Sequence, residues 1–274
     1  MASIARIHTS SILQRAASKI PTHAASGFAH RIVKYEPGLL LIKQGLSSEI
    51  QTQLAKIALE RGDNPDPKKG FWTHDKEGNR ILNSRSYRGR IYDAIDQLPP
   101  LVFELCLNFL HQAAETDSSL QVNKPTHFIL LFYKTLQEPR EAYIPWHRDN
   151  GENDGDDTSP VVSFSIGDSC DFLVNKEKPK ISKQHPSSDP KNLAHRILFE
   201  SGDVMVFGGP CRNIWHAIYE MHPRTAPSYL PFQEGRLNFT FRFTPNLIGK
   251  ESRYATVAAD QLSKDNQFYQ LSKM

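Results

Sequence analysis

The alternation of apolar and polar residues changes character twice along these 274 residues. Leu39-Leu40-Leu41-Ile42-Lys43 is a short apolar run that predicts a buried strand. Ser48 and Gln51 then form a capping-box pair, and Ile50, Leu54, Ile57 and Ala58 recur at helical spacing, with Gly62 closing the helix. From Asn64 to Arg90 the periodicity disappears into Pro, Gly and charge. A second helix is expected after Pro99-Pro100, burying Val102, Cys106, Phe109 and Leu110. Beyond it the rhythm shortens to strands at Phe128–Tyr133, Tyr143–His147, Val161–Ile166, Asp171–Val174, Arg196–Phe199, Asp203–Phe207 and Leu237–Phe243. Helices followed by many short strands predict an α+β protein with a jelly-roll core, a double-stranded β-helix.

Two stretches interrupt the strand rhythm: the acidic Asn150–Pro160, and Lys176–Asn192, rich in Pro, Ser and Lys. Both read as exposed loops. No internal repeat is present, and no apolar run reaches the roughly 18–20 residues that a membrane helix needs. The size suits one main domain. A net charge of +3 admits an acidic partner without demanding one. Three cysteines (Cys106, Cys170, Cys211) without a CxxC pair argue against a disulfide framework or structural zinc, and fit a reducing compartment.

The ends carry competing addresses. No acid precedes Glu36, whereas Arg6, Arg15, Lys19, Arg31 and Lys34 lie among Ala, Ser and Thr. That composition over 1–31 is the profile of a mitochondrial or plastid transit peptide; the plain alternative is a basic, disordered N-terminus that stays attached. Ser272-Lys273-Met274 is similar to a peroxisomal ending, and without either signal the chain stays in cytoplasm or nucleus. The expected division is 1–31 as address, 32–124 as helical extension with a lid, 125–250 as jelly-roll core, and 251–274 as tail.

Candidate chemistry begins at Trp146-His147-Arg148-Asp149. Residues two apart on a strand face the same way, so His147 and Asp149 can hold one ion together. His216, far along the chain, completes a 2-His-1-carboxylate set, the arrangement of non-haem Fe(II) oxygenases with open coordination positions. An HxD alone is common by chance. Its weight comes from the order HxD, then His, then a strand with arginines at 236 and 242. On such a strand Arg236, Asn238, Thr240 and Arg242 share one face while Leu237, Phe239, Phe241 and Phe243 pack behind.

The stretch Arg236-Leu237-Asn238-Phe239-Thr240-Phe241-Arg242 resembles the RxNxTxR signature of AlkB-type 2-oxoglutarate dioxygenases. The likeness runs back through His216, Arg212, the segment Gly202–Gly209 and the segment Pro160–Gly167. It implies Fe(II) on His147, Asp149 and His216, 2-oxoglutarate as co-substrate and O2 as oxidant. Arg236 would clamp the distal carboxylate of 2-oxoglutarate through a planar fork that stays charged. Arg242 would lie near the metal-bound end, bonding the co-substrate and bracing Asp149, and Asn238 and Tyr133 would be further co-substrate contacts. Arg212 would lie at the pocket rim, or else be a surface loop arginine. Phe207 would approach the substrate base, or else be core. Two departures stand out. Leu131 occupies the place of a family asparagine, and Gly151 the place of an acid that reads the base in bacterial members. Glu152 or Asp154 could replace that acid, or be simple solvated charge.

The lid at 64–90 carries Lys68, Lys69, Lys76, Arg80, Arg85, Arg88 and Arg90 among Phe71, Trp72 and Tyr87. Cations track phosphates and aromatics stack on bases, so Trp72, Tyr87 and Arg88 are candidate substrate contacts. The function implied is oxidative demethylation of N-alkylated bases in DNA or RNA, single-stranded by preference, by a monomer without membrane attachment. Alternatives are a protein or small-molecule hydroxylase on the same core, and a non-catalytic nucleic-acid-binding module.

Overall fold

The computed structural model describes residues 31–64, 69–82, 88–135, 143–149, 158–177, 179 and 195–243. Both expected addresses, Tyr87, and Gly151, Glu152 and Asp154 lie outside these described residues, as does most of 176–192. In chain order the strands are β1 (Arg31–Glu36), β2 (Leu39–Lys43), β3 (Trp72–His74), β4 (Arg80–Leu82), β5 (Arg88–Ala94), β6 (His127–Tyr133), β7 (Ile144–His147), β8 (Val161–Gly167), β9 (Ser169–Asn175), β10 (His195–Phe199), β11 (Val204–Phe207), β12 (Trp215–His222) and β13 (Arg236–Arg242). Among the described residues two α-helices, α1 (Ser48–Gly62) and α2 (Pro100–Thr116), come before the central strands.

Seven strands form the larger sheet in the order β1-β2-β11-β8-β13-β6-β5, and four form the smaller in the order β10-β9-β12-β7. Every pairing among the described strands is antiparallel. The two faces of β13 show why the sheets stack. Leu237, Phe239 and Phe241 enter a core with Leu130, Phe132, Phe164, and Leu54, Ala58, Val102 and Phe109 of the helices. From the opposite face of the larger sheet Ile129, Leu131, Tyr133 and Phe207 meet Phe172, Val174, Ile197, Phe199 and Ile218 of the smaller sheet. Each fully buried phenylalanine contributes roughly 1.5–3 kcal/mol, so these strands cannot slip register without inverting both cores. The result is the expected jelly roll. Among the described residues no helix is long and apolar enough to cross a membrane.

Several local expectations change. The N-cap of α1 is Ser47, whose side chain accepts from the Ile50 N–H at 3.4 Å. Gln51 does not close a capping box. Its Nε2 donates to the Leu46 carbonyl, and its Oε1 accepts from Ser201 and Tyr229. Gly62 is needed because the Phe71 ring lies where a Cβ would stand. After α2, Asp117 accepts from the Gly38 N–H at 2.7 Å and from Ser119, and pairs with Lys34. Burial pushes its carboxyl upward, but these donors outweigh burial and hold it well below the usual range.

The lid segment, read as unperiodic, contains the hairpin β3–β4 and leads into β5, an edge strand of the larger sheet. β1, absent from the sequence reading, forms the opposite edge. Segment 32–124 therefore supplies three strands of the main sheet as well as both helices. The strand that carries His216, β12, was likewise not anticipated as a strand.

Candidate active site

His147 ends β7 and His216 is the second residue of β12, and the two strands pair with these residues in register. Their rings lie 4.2 Å apart. Asp149, two residues past the end of β7, brings Oδ1 to 3.7 Å from Nε2 of His147 and Oδ2 to 3.6 Å from Nε2 of His216. One ligand atom from each lies within 4.8 Å of the others, as one metal ion requires. Backbone carbonyls orient both imidazoles: Nδ1 of His147 is 2.9 Å from Pro145 O, and Nδ1 of His216 is 3.1 Å from Ile214 O. Placing each ring proton on Nδ1, to donate to its carbonyl, leaves Nε2 with a free lone pair toward Asp149.

Electrostatics favour the ligating protonation states. Burial keeps His216 below its ordinary value against the pull of Asp149, and the Arg242 and Arg212 cations assist. His147 is lowered by burial and by His216, although 36% of its side chain is exposed and water screens it more. Burial would raise the Asp149 carboxyl, but Arg242, His216 and His147 outweigh it and hold the group ionised. Arg242 pairs with Asp149 Oδ1 at 2.6 Å. Two neutral imidazoles and one carboxylate on one side of a divalent ion are the donor set of a non-haem iron site.

At the other end of β13, Arg236 is 1% exposed. Its Nε donates to Ser165 Oγ at 3.0 Å, and its guanidinium lies 5.4 Å from the Tyr133 ring centroid and 5.1 Å from that of Phe199. Both terminal nitrogens are buried and have no hydrogen-bond partner among the described residues. A buried guanidinium fork without an acceptor is a costly arrangement, and it suits an incoming carboxylate. Fe(II) and a dicarboxylate co-substrate therefore fit the residues present.

Other expected contacts divide. Tyr133 is buried beside Arg236. Asn238 is engaged within the sheet: Nδ2 donates to Ser163 Oγ and Phe164 O, and Oδ1 accepts from Thr240. Leu131 lies opposite Asn238 in the inter-sheet apolar cluster. Phe207 packs at 5.4 Å from the His216 ring and belongs to that cluster. Arg212 is neither at a rim nor on the surface. It is 2% exposed and donates to the Asp149 main-chain carbonyl. Trp72 lies against Phe132 on the helix side of the larger sheet, with the Arg80 guanidinium 4.3 Å above it. Its ring already has these two partners. Arg88 is in register with Tyr133.

Phe172, stacked 5.4 Å from His216, and Ser165 were missed. The inward alternation Cys170, Phe172, Val174 could have found the first, and the register beside Arg236 the second.

Residues 38–242 match the family model of the 2OG-Fe(II) oxygenase superfamily. The chain belongs to that superfamily. As a 2OG-Fe(II) oxygenase it uses Fe(II), 2-oxoglutarate and O2, in agreement with the triad and the open Arg236 fork. It is 37% identical over 255 residues to the DNA N(6)-methyladenine demethylase ALKBH1C of Arabidopsis thaliana, covering 80% of this chain and 50% of that protein. To ALKBH1D of the same plant, with the same description, it is 29% identical over 241 residues, covering 78% and 50%. To the tRNA demethylase abh1 of Schizosaccharomyces pombe it is 24% identical over 231 residues, covering 71% and 72%. The chain spans about half the length of the two plant relatives. The solved structure of OsALKBH1 aligns with a TM-score of 0.60 at 21% identity, over 78% of this chain and all of that one, which shows the shared fold.

Proposed function

We propose that this oxygenase removes N-linked methyl groups from bases of DNA or RNA, with single strands preferred. One observation in the fold carries the substrate class. Edge strand β5 sets Arg88 and Arg90 in register with Tyr133 and Leu131, immediately beside the strand that walls the co-substrate end. Basic positions flanking an oxidising site suit a polyanionic strand. The demethylase names of relatives from a plant and a yeast support the same reading.

Each side chain then has a defined task. Neutral His147 and His216 and ionised Asp149 would hold the metal, and Arg242 keeps Asp149 ionised and aimed. Arg236, whose terminal nitrogens are buried without an acceptor among the described residues, would receive the distal carboxylate of 2-oxoglutarate. Phe172 and Phe207 cover His216 and keep water from its outer side. When bound, iron and 2-oxoglutarate supply the oxidation: O2 and 2-oxoglutarate give succinate and CO2 while the methyl group is hydroxylated and leaves as formaldehyde.

The test is a panel of methylated single- and double-stranded DNA and RNA oligonucleotides with Fe(II), 2-oxoglutarate and ascorbate, products read by mass. Loss of a methyl mass, faster on single strands, is expected. Succinate formation stimulated by a protein or small molecule, with no oligonucleotide turned over, would replace this reading with a hydroxylase. We further propose that the enzyme acts as a monomer and that residues 1–31 direct it to mitochondria or plastids. A fluorescent fusion to residues 1–35 that stays diffuse in the cytosol would remove the address.

A further inference from the structure

Asp149 must point its carboxylate between two imidazoles, yet it lies two residues beyond the last ladder-paired residue of β7. The sheet does not fix its backbone. Arg212 does: a buried arginine reaches across from the β11–β12 connection and gives an N–H to the Asp149 carbonyl oxygen.

That connection is itself rigid. Gly208 N–H bonds Gly38 O at 2.9 Å, Gly209 N–H bonds Thr158 O at 2.9 Å, and the short 3-10 turn Gly209–Cys211 continues with Arg212 N–H to Gly209 O at 3.1 Å. Gly209 has φ +50, and a Cβ there would collide with the Ser119 carbonyl. The same short connection leads directly into β12 and His216. One turn thus delivers both a metal ligand and the arginine that holds a second ligand's main chain.

We propose that Arg212 is a positioning residue of the iron site. It sets the backbone of Asp149 while Arg242 sets its carboxylate, so the ligand is held from two directions by two cations on different elements. The alternative role, a substrate contact at the pocket rim, requires an accessible guanidinium, and this one is 2% exposed. Partners that orient metal ligands typically change metal affinity by roughly 10–100-fold when removed.

The inference rests on the triad being the metal site, so the experiment separates the two. Full-length wild type, Arg212→Met and Arg212→Lys are titrated with Co(II) without oxygen or nucleic acid, following the d–d absorption, with thermal melts as a folding control. Wild type should bind one Co(II). Arg212→Met should bind roughly 10–100-fold more weakly, with an altered band, because the carboxylate has lost its aim. Arg212→Lys should fall between them, since charge and length remain but the planar fork is lost. If Arg212→Met fails to fold, Arg212→Lys still decides, because wild-type affinity and band in that folded variant would overturn the proposal. Unchanged Co(II) binding in Arg212→Met with weakened oligonucleotide binding would overturn it and return Arg212 to the substrate. A wild type that binds no Co(II) would sink the triad reading, and this inference with it.

Discussion

At one end of β13 Arg242 is paired with Asp149 at 2.6 Å; at the other end Arg236, equally buried and on the same face, presents two nitrogens with no acceptor among the described residues. The metal end pairs its carboxylate internally: Asp149 meets Arg242 and both imidazole Nε2 atoms, and its main-chain carbonyl accepts from Arg212. The co-substrate end is left unbalanced, its cation steadied by Ser165, Tyr133 and Phe199 but not neutralised. An incoming carboxylate then gains the full charge-assisted bond, because the cost of burying the arginine is already met in the fold. The difference separates a holder from a receiver.

The largest effect breaks the holder. Replacing His147, Asp149 or His216 with Ala should abolish turnover and weaken metal binding. A variant that keeps full activity would remove that residue from the triad. Next comes the receiver. Arg236→Met should raise the 2-oxoglutarate requirement by at least about 100-fold, from the roughly 3–5 kcal/mol lost when a buried charge pair loses one member. Its Co(II) affinity should stay at the wild-type value. Co-substrate should raise the melting temperature of wild type and not of this variant.

The two arginines should also differ in stability without ligand. Arg242→Met leaves Asp149 buried without its closest cation and should cost roughly 3–5 kcal/mol. Arg236→Met removes a buried cation that has no counter-charge among the described residues and should leave stability unchanged or raise it by roughly 1–3 kcal/mol. Urea unfolding at pH 6 measures both. The sign with pH follows from Asp149, whose folded carboxyl lies below its unfolded value of about 3.9. Its contribution is complete above that value and is lost as pH falls. The deficit of Arg242→Met should therefore be full at pH 6 and shrink below about pH 4. A deficit that stays constant to pH 3 would show that Arg242 acts through packing rather than through the carboxylate.

Much of the chemistry of this comparison was legible in the chain: Arg236 and Arg242 lie an even number of residues apart on one strand, where spacing fixes the face, and the HxD order pointed to Asp149 although it lies past the end of β7. His216 was legible as a residue but not as part of β12, since Trp215-His216-Ala217-Ile218 offers no clean alternation and a bulge follows at Ile218. β5 was hidden for a different reason. It lies at a sheet edge, where Arg88, Gly89 and Arg90 carry the composition of a loop while still pairing with β6. The environments of Arg212 and Trp72 were not legible because they are made by distant segments: the Asp149 carbonyl for one, Phe132 and Arg80 for the other. No local pattern encodes such long-range partners.

The smallest effect tests the residue between the two ends. Resemblance makes Asn238 a co-substrate contact, yet both its amide protons go to Ser163 and Phe164, and its oxygen accepts from Thr240. Its remaining lone pair would face a carboxylate as acceptor against acceptor, which gives no bond. Asn238→Ala should therefore cost stability, about 1–3 kcal/mol for buried groups left unsatisfied, while the 2-oxoglutarate requirement shifts by less than about 3-fold, or under 1 kcal/mol. Chemical unfolding beside succinate kinetics reads both quantities in one variant. If the requirement instead rises tenfold while stability holds, Asn238 turns toward the co-substrate when it binds, and the receiving end extends along β13 past Arg236.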